Sequence, residues 1–225
     1  MNNKLVVSDI LKGLKTPGDI DKALSNIKSE KPTVLTDKTL MILADFSGSM
    51  AGMLNIKTTK ISALKKALIE NLAPKLSGWT YAVIGFGLGF GYQWIVHPTT
   101  DPARIQDIDR YGSMGGTPMY GTLTEAWNWS KYNTSKARFI LISDGCPTDC
   151  DRDMLLGQCQ VNSKIPIDTI GVGDMNGYGY DEVLLREISR ITGGIFSKVD
   201  SVDKLANTLI ALSPEKRMLL GTTGK

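Results

Sequence analysis

The chain has 225 residues, of which 42% are hydrophobic and 22% are charged, a balance typical of a globular protein with one well-buried core. The formal net charge is only +3, and the lysines and arginines are scattered rather than gathered on one face. The composition therefore gives no electrostatic basis for binding nucleic acid or a membrane surface.

The sequence predicts neither a membrane span nor a secretion signal. No stretch reaches the roughly 18 to 20 apolar residues of a membrane helix. The first 19 residues carry lysines within their short apolar runs, which is not the pattern of a signal peptide. Three cysteines, an odd number, do not make a disulfide framework. We therefore expect a cytoplasmic protein with free thiols.

The first half of the predicted domain alternates strands with one helix. A continuous apolar run at residues 39–44 predicts a strand buried on both faces. Residues 60–72 predict an amphipathic helix that ends before Pro74, and residues 81–87 and 92–96 predict two strands joined by a glycine-rich turn. The apolar side chains at helical spacing in the predicted helix are Ile61, Leu64, Leu68 and Leu72.

The second half continues the alternation. Strands are predicted at residues 138–143, 165–173 and 194–199. Helices are predicted at residues 117–130, 151–163, 181–194 and 202–212. Strands that alternate with helices of this length favour right-handed crossovers, so the expected fold is α/β, with a doubly wound, mainly parallel, Rossmann-like sheet flanked by helices.

Two terminal segments fall outside the predicted domain, which covers residues 37–212. Residues 1–36 form an N-terminal extension with a short helix predicted at residues 19–27, which either packs on the domain or serves as a docking arm. Residues 213–225 form a basic, partly apolar tail that we expect to be loosely ordered.

Small oxygen-bearing side chains collect at the carboxyl ends of the predicted strands, where open parallel sheets bind ligands. Asp45, Ser47 and Ser49 follow the first strand, Thr117 opens a helix after two glycines, and Asp144 ends a later strand. Two carboxylates and three hydroxyls form a hard-donor set suited to Mg²⁺, with Mn²⁺ or Ca²⁺ as alternatives. A glycine within the first loop, Gly48, is expected to let that loop pack closely around the ion.

The ratio of neutral to charged donors predicts what the bound ion would bind in turn. Three of the five ligands are neutral hydroxyls, so the ion's charge is incompletely compensated and an open coordination position would attract an Asp or Glu from another protein. The alternative is that Asp45 only caps a helix and that the two serines only form a turn.

Three segments in chain order, LADFSGSM, GGTPM and LISDG, resemble the metal-ion-dependent adhesion site of von Willebrand factor A domains. The resemblance extends over residues 38–212. It implies that Asp45, Ser47 and Ser49 supply ligands from the first loop, Thr117 from the second and Asp144 from the third. The sequence departs from the family's motif at none of these five positions.

The resemblance implies a binding module and not an enzyme. The GGTPM variant is closer to bacterial, archaeal and phage members than to integrins, and such relatives often work beside AAA+ ATPases, metal chelatases or stress-response proteins. Two alternatives remain open: a hydrolase in which the cation activates water or a phosphate, and a structural subunit in which it only rigidifies loops.

Other motifs are interpreted more simply. Alternating glycines in GFGLGFG (residues 85–91) lack the dinucleotide spacing and are followed by a second predicted strand, so they predict a hairpin turn. Cys146, Cys150 and Cys159 lack an evident fourth ligand for zinc, because the single histidine, His97, is distant in sequence and is expected at a strand end on the surface.

Overall fold

The computed structural model describes residues 38–89, 91–134, 136–174 and 179–213. Within these residues the strands, in chain order, are β1 (Lys38–Asp45), β2 (Met53–Asn55), β3 (Thr58–Thr59), β4 (Thr80–Leu88), β5 (Gly91–Thr99), β6 (Lys136–Ser143), β7 (Ile167–Val172) and β8 (Phe196–Val199). Six of them form one sheet in the order β5-β4-β1-β6-β7-β8, and β2 pairs with β3 in a small separate ribbon.

Helices connect most of these strands. The α-helices of the described residues are α1 (Lys60–Lys66), α2 (Met119–Asn133), α3 (Arg152–Val161), α4 (Glu182–Thr192) and α5 (Val202–Leu212). Segments of 3₁₀ helix lie at Gly48–Ala51, Ala73–Lys75 and Pro102–Arg110. The boundaries of the helices and of the main-sheet strands therefore agree closely with the expected alternation.

The central sheet is parallel except at one edge. Strand β1 pairs in parallel with both β4 and β6, and β6, β7 and β8 continue in the same direction. Only β5 runs antiparallel, as the second arm of the predicted glycine-turn hairpin with β4. The predicted doubly wound, mainly parallel sheet is confirmed, and its carboxyl edge brings the ends of β1, β4 and β6 side by side.

Both faces of the sheet are covered, because successive side chains of a strand point in opposite directions. In β1, Leu40 and Ile42 pack in the core beneath α1 and α5, whereas Met41 and Leu43 pack with α2, α3 and α4. All four side chains are fully buried. A strand buried on both faces produces the continuous apolar run of the sequence.

The amphipathic helix predicted at residues 60–72 is present, but it is not α-helical throughout. Its α-helical part ends at Lys66 and continues as a π-helical segment, Ala67–Leu72. Pro74 follows after Ala73, and because a proline ring clashes with the carbonyl four residues earlier, the last turn cannot keep regular α-helical hydrogen bonds. The buried stripe nevertheless contains Leu64, Leu68 and Leu72 as expected, with Ile61 packed at its margin.

Other local expectations differ or lie outside the described residues. Helix α2 begins at Met119 and not at Thr117, since Pro118 stands before its first turn. The helix predicted at residues 19–27 and the tail beyond Ser213 lie outside the described residues. Among the described helices, none is both long enough and apolar enough to cross a membrane.

Candidate metal centre

The first loop of the candidate site turns sharply at the end of β1. Asp45 is the last residue of that strand, and its Oδ1 accepts a 2.7 Å hydrogen bond from the backbone N–H of Ser47. The 3₁₀ turn that follows starts at Gly48 and is anchored by the fully buried side chain of Met50. This turn brings Ser47 and Ser49 to the same edge as Asp45, with their hydroxyl oxygens 2.9 Å apart.

Two other glycines allow neighbouring loops to approach this turn. Gly87 and Gly115 have φ of +80° and +77°, which side-chain-bearing residues rarely adopt. A Cβ on Gly87 would lie 2.5 Å from the backbone nitrogen of Ser47, and one on Gly115 would overlap the carbonyl oxygen of Gly89. A Cβ on Gly48 would make an ordinary contact, so the close packing expected of that residue depends on Gly87 and Gly115.

Asp45 is fully buried and lacks a positively charged partner among the described residues. Its Oδ2 accepts a 2.6 Å hydrogen bond from the Ser143 hydroxyl on the neighbouring strand β6. Burial raises the pKa of the Asp45 carboxyl to about 6, although the hydrogen bonds from Ser143 and Ser47 lower it, and the negative charge of Asp144 adds to the rise. A buried carboxylate without a counter-charge is costly to ionise, and a bound cation would remove that cost.

Asp144, directly after β6, differs because one of its oxygens has a positively charged partner. Its Oδ1 accepts a 2.6 Å hydrogen bond from the Ser49 hydroxyl. Its Oδ2 accepts a 2.8 Å hydrogen bond from the Nζ of Lys60, in a salt bridge that solvent barely reaches. The carboxylate is therefore fixed in position from two sides.

Thr117 completes the set from the loop before α2. Its backbone N–H donates to the Thr148 hydroxyl at 2.9 Å, and its carbonyl accepts from the Thr148 N–H at 2.9 Å. A Cβ added to Gly145 would lie 3.1 Å from the Thr117 hydroxyl oxygen and 3.9 Å from that of Ser49. The absence of a side chain at Gly145 thus leaves a small cradle bordered by these two hydroxyls.

The structure brings all five predicted residues to one place. Hydrogen bonds connect Asp45, Ser47, Ser49 and Asp144 in sequence, and Thr117 borders the same cradle across Gly145. The set contains only two carboxylates, and the described residues hold no cluster of three or more His, Cys, Asp or Glu side chains suited to a metal. Hard oxygen donors around a buried, uncompensated carboxylate fit Mg²⁺ or Mn²⁺ in chemical type.

The interpretation of Asp45 as a simple helix cap does not describe the geometry. The residue that precedes the 3₁₀ turn is Ser47, and its side chain forms no capping hydrogen bond. Asp45 does organise the turn through the Ser47 N–H, but its second oxygen reaches across to β6. The serine hydroxyls likewise connect to Asp144 and not to their own turn alone.

Sequence reasoning assigned no role to three residues of the site, Lys60, Ser143 and Gly145, although the last two lie within the segment LISDG. For Lys60 a signal existed, because it stands four residues before Leu64 and therefore on the buried stripe of its helix. Ser143 is a polar residue at the end of an otherwise apolar strand. Gly145 directly follows Asp144, but the local sequence does not show which atoms a side chain at position 145 would contact.

The remaining motifs behave as expected. The glycine-rich stretch forms the hairpin turn between β4 and β5. The three cysteines are free thiols, exposed at Cys146, partly buried at Cys150 and buried at Cys159. His97 is exposed near the end of β5, where its ring stacks on Trp94 with 5.8 Å between the ring centroids.

Comparison with known proteins agrees with the predicted fold. Residues 40–147 match the family model of the von Willebrand factor type A domain. No curated protein matches the chain. The described motif residues of all three loops lie within the matched segment.

Solved structures share the architecture at low sequence identity. A von Willebrand factor type A protein from Catenulispora acidiphila is 21% identical over 80% of this chain and 42% of its own, with a TM-score of 0.67. The conserved hypothetical protein BatB from Bacteroides thetaiotaomicron is 17% identical over 82% of this chain and 99% of its own, with a TM-score of 0.66. The manganese-loaded TRAP protein of Plasmodium vivax is 21% identical over 77% of this chain and 73% of its own, with a TM-score of 0.57.

These likenesses establish the fold. This chain spans only 42% of the length of the Catenulispora protein, so a shared architecture carries no statement about that protein's activity as a whole.

Proposed function

We propose, on the premise that this chain contains a von Willebrand factor type A domain, that it is a metal-dependent protein-interaction module. Asp45, Ser47, Ser49, Thr117 and Asp144 would hold one divalent cation, Mg²⁺ or alternatively Mn²⁺ or Ca²⁺. When bound, the cation supplies an open coordination position for an Asp or Glu side chain of a partner. The observation that supports the proposal is the buried Asp45 carboxylate, which has no salt bridge among the described residues and lies where the hydroxyls converge.

The five candidate ligands form a cage whose charges explain why the cation-loaded domain would bind an acidic partner. The three hydroxyl ligands are neutral, and one of the two carboxylates, Asp144, already shares its charge with Lys60. A hard divalent ion in such a cage keeps a positive charge, which an additional carboxylate neutralises. Metal binding by the Plasmodium vivax relative, which is described as manganese-loaded, is consistent with a divalent ion on this fold.

The nature of the partner follows from the same chemistry. We expect a protein with an exposed Asp or Glu, and the resemblance to bacterial, archaeal and phage members of the family favours an AAA+ ATPase or a stress-response protein. We place the interaction in the cytoplasm, because the three free thiols suit a reducing compartment. We interpret the site as a binding site and not a catalytic one, since the described residues add no evident general base to the hydroxyl and carboxylate ligands.

The proposal is tested by capture of partners from the native host in Mg²⁺ and in EDTA, with the native chain and two variants. Asp45→Ala and Asp144→Ala should each reduce Mg²⁺-dependent capture at least about tenfold, because each removes a charged ligand. Asp153→Ala provides a matched control, since Asp153 is an exposed carboxylate in the first turn of α3. Circular dichroism should show the same fold in all variants.

Three results would contradict the proposal. Capture that persists undiminished in EDTA would show that no cation is used. Turnover of phosphoesters in Mg²⁺ or Mn²⁺ that Asp45→Ala abolishes would instead show a hydrolase. Metal binding without any affinity for carboxylates would indicate a purely structural ion.

A further inference from the structure

A lysine is built into the candidate metal centre. Lys60 is the first residue of α1, and only 6% of its surface is exposed. Its backbone N–H donates to the carbonyl of Gly52 at 2.9 Å, which fixes the start of the helix against the first loop. Its side chain runs inward, and Nζ lies 2.8 Å from Oδ2 of Asp144.

Two glycines lie beside this side chain, and a Cβ on either of them would make only an ordinary contact with it. A Cβ on Gly52 would lie 4.0 Å from Cε of Lys60, and a Cβ on Gly179 would lie 3.6 Å from Nζ. The ammonium group is therefore enclosed by the first loop, by Asp144 and by the segment after β7. A lysine is rarely buried to this extent unless it is paired, so the contact with Asp144 accounts for its position.

The pairing changes the charge that a cation would meet. Asp45 and Asp144 together carry two negative charges, and Lys60 cancels one of them. A divalent ion added to the site then leaves one net positive charge, whereas the same site without the lysine would be neutral. Because Lys60 and Ser49 hold opposite oxygens of Asp144, this carboxylate is also oriented before any ion arrives.

We propose that Lys60 is a specificity-determining residue. It lowers the affinity of the site for the cation and raises the affinity of the cation-loaded site for an anionic ligand. This inference rests on the proposed function and deepens it. Lys60 keeps the buried Asp144 compensated in the metal-free chain, so the cage stays assembled. The Lys60 ammonium group remains as a second positive charge beside the cation when the carboxylate of a partner binds.

The test compares Lys60→Met with the native chain in three measurements. Without metal, in EDTA, the variant should melt at a lower temperature, because Asp144 loses its buried partner. Its affinity for Mn²⁺, measured by calorimetry, should be about tenfold higher, since one opposing charge is removed from the cage. Its Mn²⁺-loaded form should bind acetate about tenfold more weakly than the native loaded form.

Two further variants support the comparison. Lys66→Met removes the same charge from an exposed position on the same helix, where Lys66 lies 3.9 Å from Glu70, and should behave like the native chain in all three measurements. Lys60→Gln keeps a hydrogen-bond donor without the charge, and it replaces Lys60→Met if that variant does not fold. It should also bind Mn²⁺ more tightly than the native chain.

The results separate this inference from the proposed function. Native binding of Mn²⁺ together with unchanged or weaker binding by Lys60→Met and Lys60→Gln would overturn the inference and leave the proposed function intact. Unchanged acetate binding by the loaded variants would overturn it as well. If the native chain binds no Mn²⁺, both proposals fail.

Discussion

Gly145 and Thr117 are separated by a gap that a single methyl group would close. A Cβ at position 145 would lie 3.1 Å from the Thr117 hydroxyl oxygen, which is tighter than most contacts made by real β-carbons. The Ser49 hydroxyl borders the same gap at 3.9 Å. Position 145 therefore controls the space between two of the proposed ligands without supplying a ligand itself.

Gly145→Ala should consequently weaken Mg²⁺ binding while the fold persists. The new methyl group would force the Thr117 hydroxyl to move by a few tenths of an ångström, and displaced supporting geometry typically lowers metal affinity about tenfold or more. Calorimetric titration with Mg²⁺ measures the change. The control is Gly157→Ala, because a Cβ at Gly157 in helix α3 meets nothing within 4 Å and should leave the affinity unchanged. Equal affinity in both variants would show that the cradle does not hold the ion.

Metal affinity should depend on pH through Asp45. Burial raises the pKa of this carboxyl to about 6, so below that pH a proton occupies the group that the cation needs. The affinity for Mg²⁺ should be constant above about pH 7 and fall about tenfold per unit as the pH drops below about 6. Titrations at pH 5, 6, 7 and 8 measure this profile.

The Ser143 hydroxyl offers a way to shift that profile. Its 2.6 Å hydrogen bond lowers the pKa of Asp45, so Ser143→Ala should move the decline in affinity to higher pH. In the metal-free chain, low pH favours folding through Asp45, whereas it disfavours metal binding. The stability that the raised pKa of Asp45 contributes is fully present below about pH 4 and is lost as the pH rises through about 6. A metal affinity that stays constant from pH 5 to pH 8 would contradict this assignment.

The sequence predicts the central strands well and brings the five candidate ligands to one edge of the sheet, for one physical reason. A strand buried on both faces must be apolar throughout, so the polar residues that end β1 and β6 mark the carboxyl edge of the sheet. The order of Asp45, Ser47, Ser49, Thr117 and Asp144 then places all five at that edge. The 3₁₀ helix Pro102–Arg110 escapes prediction, because only Ile105 and Ile108 of its nine residues are buried.

What the sequence cannot predict are contacts between residues distant in the chain. The helical spacing places Lys60 on the buried stripe, but it does not show that the ammonium group pairs with Asp144, which lies 84 residues away in the chain. The need for glycine at positions 87 and 115 likewise arises from backbone atoms of other loops. Such requirements become visible only when the loops are placed together.

The thiols should react slowly in the folded chain. Burial raises the pKa of Cys150 to about 11, with a further rise from the charges of Asp149 and Asp151, and burial raises the pKa of Cys159 to about 12. At pH 8 only a very small fraction of either thiol is ionised, and the thiolate is the reactive form. Mass spectrometry after iodoacetamide treatment should find both residues largely unmodified in the native chain and modified after denaturation. Rapid alkylation of Cys150 in the native chain would contradict the prediction and favour a redox role.

The final prediction separates stability from metal binding. At the amino-terminal ends of β6 and β7, far from the candidate metal centre, Arg138 donates two 2.6 Å hydrogen bonds to the fully buried carboxylate of Asp168. Arg138→Met would leave that buried charge without its main partner, which costs about 3 kcal/mol and lowers the melting temperature by roughly 6 to 12 °C. Affinity for Mg²⁺ should stay within about twofold of the native value, because no proposed ligand contacts this pair.

A surface arginine provides the comparison for that variant. Arg110 pairs with Asp107 at 3.3 Å, but its side chain is 79% exposed, and Arg110→Met should change the stability by less than about 0.5 kcal/mol. Differential scanning calorimetry measures both variants in EDTA, and titration calorimetry measures their affinity for Mg²⁺. If Arg138→Met weakened Mg²⁺ binding as strongly as Gly145→Ala, the two ends of the sheet would be coupled. The interpretation that metal binding depends only on residues around the candidate metal centre would then be wrong, because the positions of the ligands would depend on packing at the opposite edge of the sheet.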